Sequence, residues 1–218
     1  MDRHETYWKC EKTAEAAETL LKIRSEIAKT DATAEALQKF AERLRRSIYH
    51  CFKSVLLFSV AASLYMKSKQ STMAAVGSCV KGIQLATEKM VKLDVRNETI
   101  VRNHVIPLMR DILTRMEKFE TGGETSKVVE IVSVLHSIGK SEKKIHDFCD
   151  AAKTFEYAVG RLDNEFSYSK TRPKIYSDLF EDLGHVFVEM HRLHEATARY
   201  RKAIEVHNYY TAQGERWF

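Results

Sequence analysis

From Ala16 to Tyr65 the sequence threads one apolar seam: Ala16, Leu20, Ile23, Ile27, Ala34, Leu37, Phe40, Leu44, Ile48, Cys51, Val55, Phe58, Ala62 and Tyr65. The steps alternate between three and four residues, with Thr30 filling the one gap. That spacing holds side chains on one side of an α-helix. No proline or glycine occurs from Met1 to Val76. The seam therefore predicts a single rod, roughly 75 Å long at 1.5 Å of rise per residue. A rod of that length cannot bury its seam against itself. It calls for long partner helices, from this chain or from a second copy.

A second stripe lies opposite. Lys39, Arg43, Arg46, His50 and Lys53 fall within about 80° of one another on the same helix, and only Glu42 offsets them in that interval. The stripe reads either as a solvated outer face or as a footprint for phosphate-bearing partners. Over the whole chain, 35 Lys and Arg against 30 Asp and Glu leave a net charge of +5. Affinity for a polyanion must then come from clustering on a face.

Only 2 prolines and 8 glycines interrupt 218 residues, and no stretch alternates with period two. The chain is expected to be all-α, built from few and long helices. Cys10, Cys51, Cys79 and Cys149 are scattered without a C-x-x-C pair, as suits a reducing compartment; Cys51, on the seam, reads as a small hydrophobe. The polar start, MDRHETYWKCEK, is no signal peptide. The longest apolar run, Val55–Tyr65, is too short to span a bilayer. A cytoplasmic protein that meets membranes only from their surface is expected.

The interruptions suggest one helical domain of three antiparallel rods. The first covers about 10–66, with Ser71 or Thr72 capping the next. The second covers about 72–138, with a seam that slips between Leu93 and Val105, a kink near Pro107 and a break at Thr121–Gly122–Gly123. The third covers about 142–212, with a bend near Pro173. Gly139–Lys140–Ser141 is then the hairpin tip. Pro107 lies 32 residues before Gly139 and Pro173 lies 34 after it, so both rods would curve at one level.

The run Ala86-Thr-Glu-Lys-Met-Val-Lys-Leu-Asp-Val-Arg96, followed by Val105-Ile-Pro-Leu108, resembles the second helix of BAR domains, nearest the ciliary BAR-domain proteins. Glu189-Met190 with His194 and Tyr200 is similar to the end of the third BAR helix. The resemblance implies a homodimer that senses or shapes membrane curvature by laying a basic face on anionic lipid. Candidate lipid contacts are Lys39, Arg43, Arg46, Lys53, Arg96, Arg102, Arg110, Lys140, Lys143 and Lys144. The dimer and core seam would comprise Leu37, Phe40, Leu44, Ile48, Val55 and Phe58. Gly122–Gly123 inside the arm and the lack of an N-terminal insertion helix depart from that family. A second likeness is to tetratricopeptide-like α-solenoids, which are scaffolds for protein partners. Leu183-Gly184-x-x-Phe187, Ala196, Tyr200 and Ala203 follow that repeat, with fainter echoes over Ser63–Gly82 and Leu135–Ala151. The two best echoes, ending at Ala151 and Ala203, lie 52 residues apart, against a family period of about 34.

No arrangement of residues points to catalysis. Arg45-x4-His50 has the spacing seen in HEPN-type ribonucleases, but a five-residue offset separates the pair by about 140° on a straight helix. His185, Glu189, His191, His194 and Glu195 share a helical region without further ligands to close a metal shell. There is no phosphate-binding loop and no nucleophile elbow. The aromatics lie on apolar seams and do not interleave with basic residues as a nucleic-acid platform requires. No enzymatic activity, cofactor, metal or nucleic-acid partner is expected.

Overall fold

The computed structural model describes residues 31–46, 51–67, 73–95, 97–118, 125–166 and 174–212. Among these residues the chain forms eight helices and no strand. They are α1 (Asp31–Arg46), α2 (Cys51–Tyr65), α3 (Met73–Leu93), α4 (97–118), α5 (Thr125–Lys144), α6 (Phe148–Phe166), α7 (Ile175–Glu189) and α8 (Leu193–Ala212). The all-α expectation holds. The helices gather into two compact units, Met1–Ile112 and Leu113–Phe218.

In the first unit the predicted continuous rod is replaced by a hairpin. The Ser54 hydroxyl donates to the Ala41 carbonyl at 2.8 Å, and the Tyr65 hydroxyl donates to Gln38 Oε1 at 3.1 Å. On one straight helix Gln38 and Tyr65 would stand about 40 Å apart. α1 and α2 therefore pack antiparallel. The reason lies in α2, which buries Val55, Leu57, Phe58, Val60, Ala61, Ala62 and Leu64 around most of its circumference, with Phe52 and Leu56 half-buried on the remaining side. A helix apolar on all sides must be flanked by others, and α1 and α3 flank it. Because nearly every position of α2 is apolar, a seam of any register can be threaded through it, which produced the impression of continuity. Val55 and Phe58 are core residues, 1% and 0% exposed. The Phe58 ring lies so close to the backbone of Gly82 on α3 that a Cβ there would meet its Cζ at 2.4 Å.

The seam slip between Leu93 and Val105 has a local cause. α3 ends at Leu93, where the Asn97 side-chain amide donates to the Met90 carbonyl at 2.7 Å. α4 starts as an α-turn (Asn97–Ile100), passes through a π-helical turn (Val101–Val105) and continues as Ile106–Lys118. In the π turn the Ile106 N–H donates to the Val101 carbonyl, five residues back, which inserts one extra residue into the stripe. Pro107, with no N–H to give, follows directly, and the helix runs through it.

In the second unit Gly139 is no turn: it lies inside α5. The chain turns at Ile145–Asp147, through His146 at φ 58°. The Asp147 N–H donates to the Glu142 carbonyl (3.0 Å) and the His146 N–H to that of Lys143 (3.1 Å), the Schellman arrangement that closes a helix C-terminus. The α7–α8 connection repeats it. His191 also has φ 58°, with Arg192 N–H to Phe187 O at 2.8 Å and His191 N–H to Val188 O at 2.9 Å. The two turns lie 45 residues apart. At the same offset Gly139 lies under the Phe155 ring and Gly184 under the Tyr200 ring, and Ala151 and Ala196 are both buried. The hairpins α5–α6 and α7–α8 are thus two copies of one design. The period is 45, neither the 52 read between the echoes nor that of the tetratricopeptide family. The segments Thr121–Gly122–Gly123 and Ser169–Pro173, and the proposed caps Ser71 and Thr72, lie outside the described residues.

A Cβ at Gly139 would sit 2.4 Å from Phe155 Cε1, and Phe155 is fully buried. Gly139→Ala is expected to cost about 1–3 kcal/mol by overpacking, read as a lower denaturant midpoint. Gly184→Ala will cost less, because the Tyr200 ring is only half-buried and can give way. Gly160→Ala, with nothing within 4 Å of the new methyl, will stabilise by up to about 1 kcal/mol.

Candidate functional site

Equivalent positions of the repeat pair residues of α5 with residues of α7: His136 with Glu181, Lys140 with His185, Lys143 with Val188, and Lys144 with Glu189. Offsets of four, seven and eight keep each set within about 100° on its helix. Glu181, His185, Val188 and Glu189 are exposed, and the α5 residues are half-buried. α5 and α7 touch, so the two sets form one accessible face of the second unit, cationic along α5 and acidic along α7.

Asp182 ties this face together. Its side chain is 13% exposed and accepts from His136 Nε2 at 2.8 Å and from Lys143 Nζ, with Lys140 Nζ at 4.0 Å. Burial would raise the carboxyl pKa. The hydrogen bonds from His136 and Lys143, with the charge on the lysine, outweigh burial and hold it far below the usual carboxylate range. On the outer side of α7, the Tyr200 hydroxyl lies 3.0 Å from His185 Nδ1, while His185 Nε2 lies 3.7 Å from Glu181 Oε1. The Tyr200 hydroxyl is pushed up, first by burial and then by Glu181 and Asp182, so it stays protonated and serves as a hydrogen-bonding group.

The equivalent residues behind the face solve one packing problem in two ways. Glu142 is 2% exposed and accepts from the Thr154 hydroxyl at 2.7 Å. Its counterpart Phe187 is 1% exposed and is covered by the guanidinium of Arg192, 4.5 Å from the ring centroid, with Arg199, the counterpart of Thr154, at 5.9 Å. Cation–aromatic attraction replaces a buried hydrogen bond.

The sequence-predicted lipid contacts fall in both units. Lys39 is exposed and paired with Glu35 at 2.5 Å, while Arg43 and Lys53 are exposed on α1 and α2. Arg102 and Arg110 are exposed on α4. Lys140 and Lys143 face Asp182 instead of forming a bare tip, and Lys144 is half-buried at the end of α5. Arg96 and the Arg46 side chain lie outside the described residues, as does Ile48. The seam also divides. Val55 and Phe58 are core, Leu37 and Leu44 are half-buried, and Phe40 is 52% exposed.

Sequence reasoning missed His136 and Asp182. His136, Lys140 and Lys143 do form an i, i+4, i+7 row that could have been read. Their carboxylate partner lies 46 residues from His136, and no local pattern announces it.

Of the residues weighed for catalysis, Arg45 donates to Glu42 (2.8 Å) and His50 lies outside the described set. Glu195 is held by Arg192. Among the described residues no group of three or more His, Cys, Asp or Glu could hold a metal ion. Burial pushes the Cys79 thiol up to about 12 and raises that of Cys51, so both remain thiols. Among the described residues no helix is long and apolar enough to cross a membrane. The sequence matches no protein-family model and no curated protein.

Asp182→Asn removes the charge that His136 and Lys143 face and is expected to cost about 1–3 kcal/mol at neutral pH. A carboxyl whose folded pKa is depressed contributes stability that is fully present above its unfolded pKa of about 3.9 and is lost as pH falls below it. Denaturation midpoints of the native chain will therefore decline below about pH 4, and the decline will be shallower in Asp182→Asn.

Proposed function

We propose that the second unit is a short tetratricopeptide-like scaffold that binds a segment of a protein partner along the shared face of α5 and α7. The observation that carries this reading is the 45-residue repeat: the same glycine under the same aromatic position, the same left-handed histidine and the same pair of turn hydrogen bonds. Stacked helical hairpins are quasi-one-dimensional, and their use is the extended face that equivalent residues build side by side. The face carries Val188, 40% exposed, between cationic and acidic borders. An apolar contact inside a polar rim fits recognition of a peptide or helix. The family period is about 34 residues; the longer spacing here goes with longer helices, 20 residues in α5 and 19 in α6. The curved membrane-shaping dimer drew on an unbroken first rod, and that support is gone.

A photo-crosslinking residue placed at His185 is expected to give one discrete, saturable adduct in extracts of the source cells. The adduct should be competed by excess native protein and lost in Lys140→Glu. The same probe at Glu165, exposed on α6, should give none. Equal labelling from both positions would remove the face from the proposal.

A further inference from the structure

The fold of the first unit brings cations from three helices to one end. The Ser54 hydroxyl on the Ala41 carbonyl sets the C-terminal end of α1 beside the first turn of α2. Lys89 of α3 reaches the same place, its ammonium donating to the Arg45 carbonyl at 2.9 Å. Cys51 opens α2, and burial raises its thiol pKa while Lys89 and Arg45 draw it down. Arg43 and Lys53 are exposed there. Glu42 is the counter-charge on this part of α1, and it is engaged by Arg45 at 2.8 Å.

Phe40 stands one turn before Arg43 and is the one exposed aromatic of this unit among the described residues. Ala36, Phe40 and Arg43, at i, i+4 and i+7, are all exposed, and the half-buried Leu37 and Leu44 border them. Within the chain the hairpin leaves Phe40 52% exposed, one turn from the exposed Arg43.

We propose that this end of the first unit docks on an anionic lipid surface, with Arg43, Lys53 and Lys89 toward the headgroups and Phe40 as the apolar anchor. A helix with a polar basic edge and an apolar strip lies in the interfacial plane of a bilayer, where both find a match. Lipid is favoured over nucleic acid because the apolar strip is aliphatic apart from Phe40, and stacking on bases takes a row of aromatics. The surface belongs to the first unit, and the proposal does not rest on the partner-binding reading of the second.

The test is co-sedimentation of the full chain with vesicles of phosphatidylcholine alone or mixed with phosphatidylserine. Retention by the mixed vesicles only, weakening with added salt, is expected. Each charge removed near an anionic surface lowers partition about fivefold, so Arg43→Gln and Lys53→Gln should each show that loss and combine to about 25-fold. Phe40→Ser should weaken binding with the salt dependence unchanged. All three side chains are exposed, and an unaltered helical circular-dichroism signal would confirm that the fold is kept. Equal pelleting with both vesicles, or full retention by the double variant, overturns the proposal, and unchanged binding by Phe40→Ser overturns the anchor. Binding of single-stranded RNA without vesicle binding would assign the charge to nucleic acid instead.

Discussion

The architecture depends on aromatic rings lying directly on the backbone of a neighbouring helix. Phe58 against Gly82, Phe155 against Gly139 and Tyr200 against Gly184 are the same kind of contact made in three helix pairs. A ring can approach that closely only where no Cβ stands in its way, so each glycine sets both the separation and the register of its helix pair. In the second unit the contact recurs at a fixed interval with the histidine-closed turn, and this places His136, Lys140 and Lys143 next to Asp182. The face on which partner binding is proposed is therefore a consequence of two glycines that never touch it.

The helical class was legible because scarce prolines and glycines leave long stretches of 3.6-residue periodicity intact. Connectivity was less so, for reasons that can be named. α2 is apolar on every side, so it agreed with the seam of α1 whether or not the two were collinear. Gly139 looked like a turn because glycine usually marks one; here it makes room for Phe155. The true turns are closed by His146 and His191 in the left-handed region, a position where glycine is usual and histidine gives no warning. The helix runs through Pro107. The slip in its seam recorded the break after Leu93 and the π turn beyond it.

The candidate site was the least legible part. Charge clusters read along one helix cannot reveal which members are neutralised from another. Lys143 looked like a free tip residue and is held by Asp182; Lys89 looked like one more helical lysine and sits at the end of α1. Phe40 was placed in the dimer and core seam on its spacing, and within one chain its ring is 52% exposed.

The two copies of the hairpin are not equally protected. α6 is covered by α5 on one side and α7 on the other, whereas α8 packs mainly on α7 and meets α6 through the Arg199–Glu156 ion pair at 3.4 Å. Ala152, Phe155 and Val159, all buried, correspond to Thr197, Tyr200 and Ile204, of which none is. Thermal agitation will then strip the array from its α8 end, in the manner of a zip. Amide protons of α8 will trade with solvent through small openings, while those of α6 wait for the whole unit to come apart.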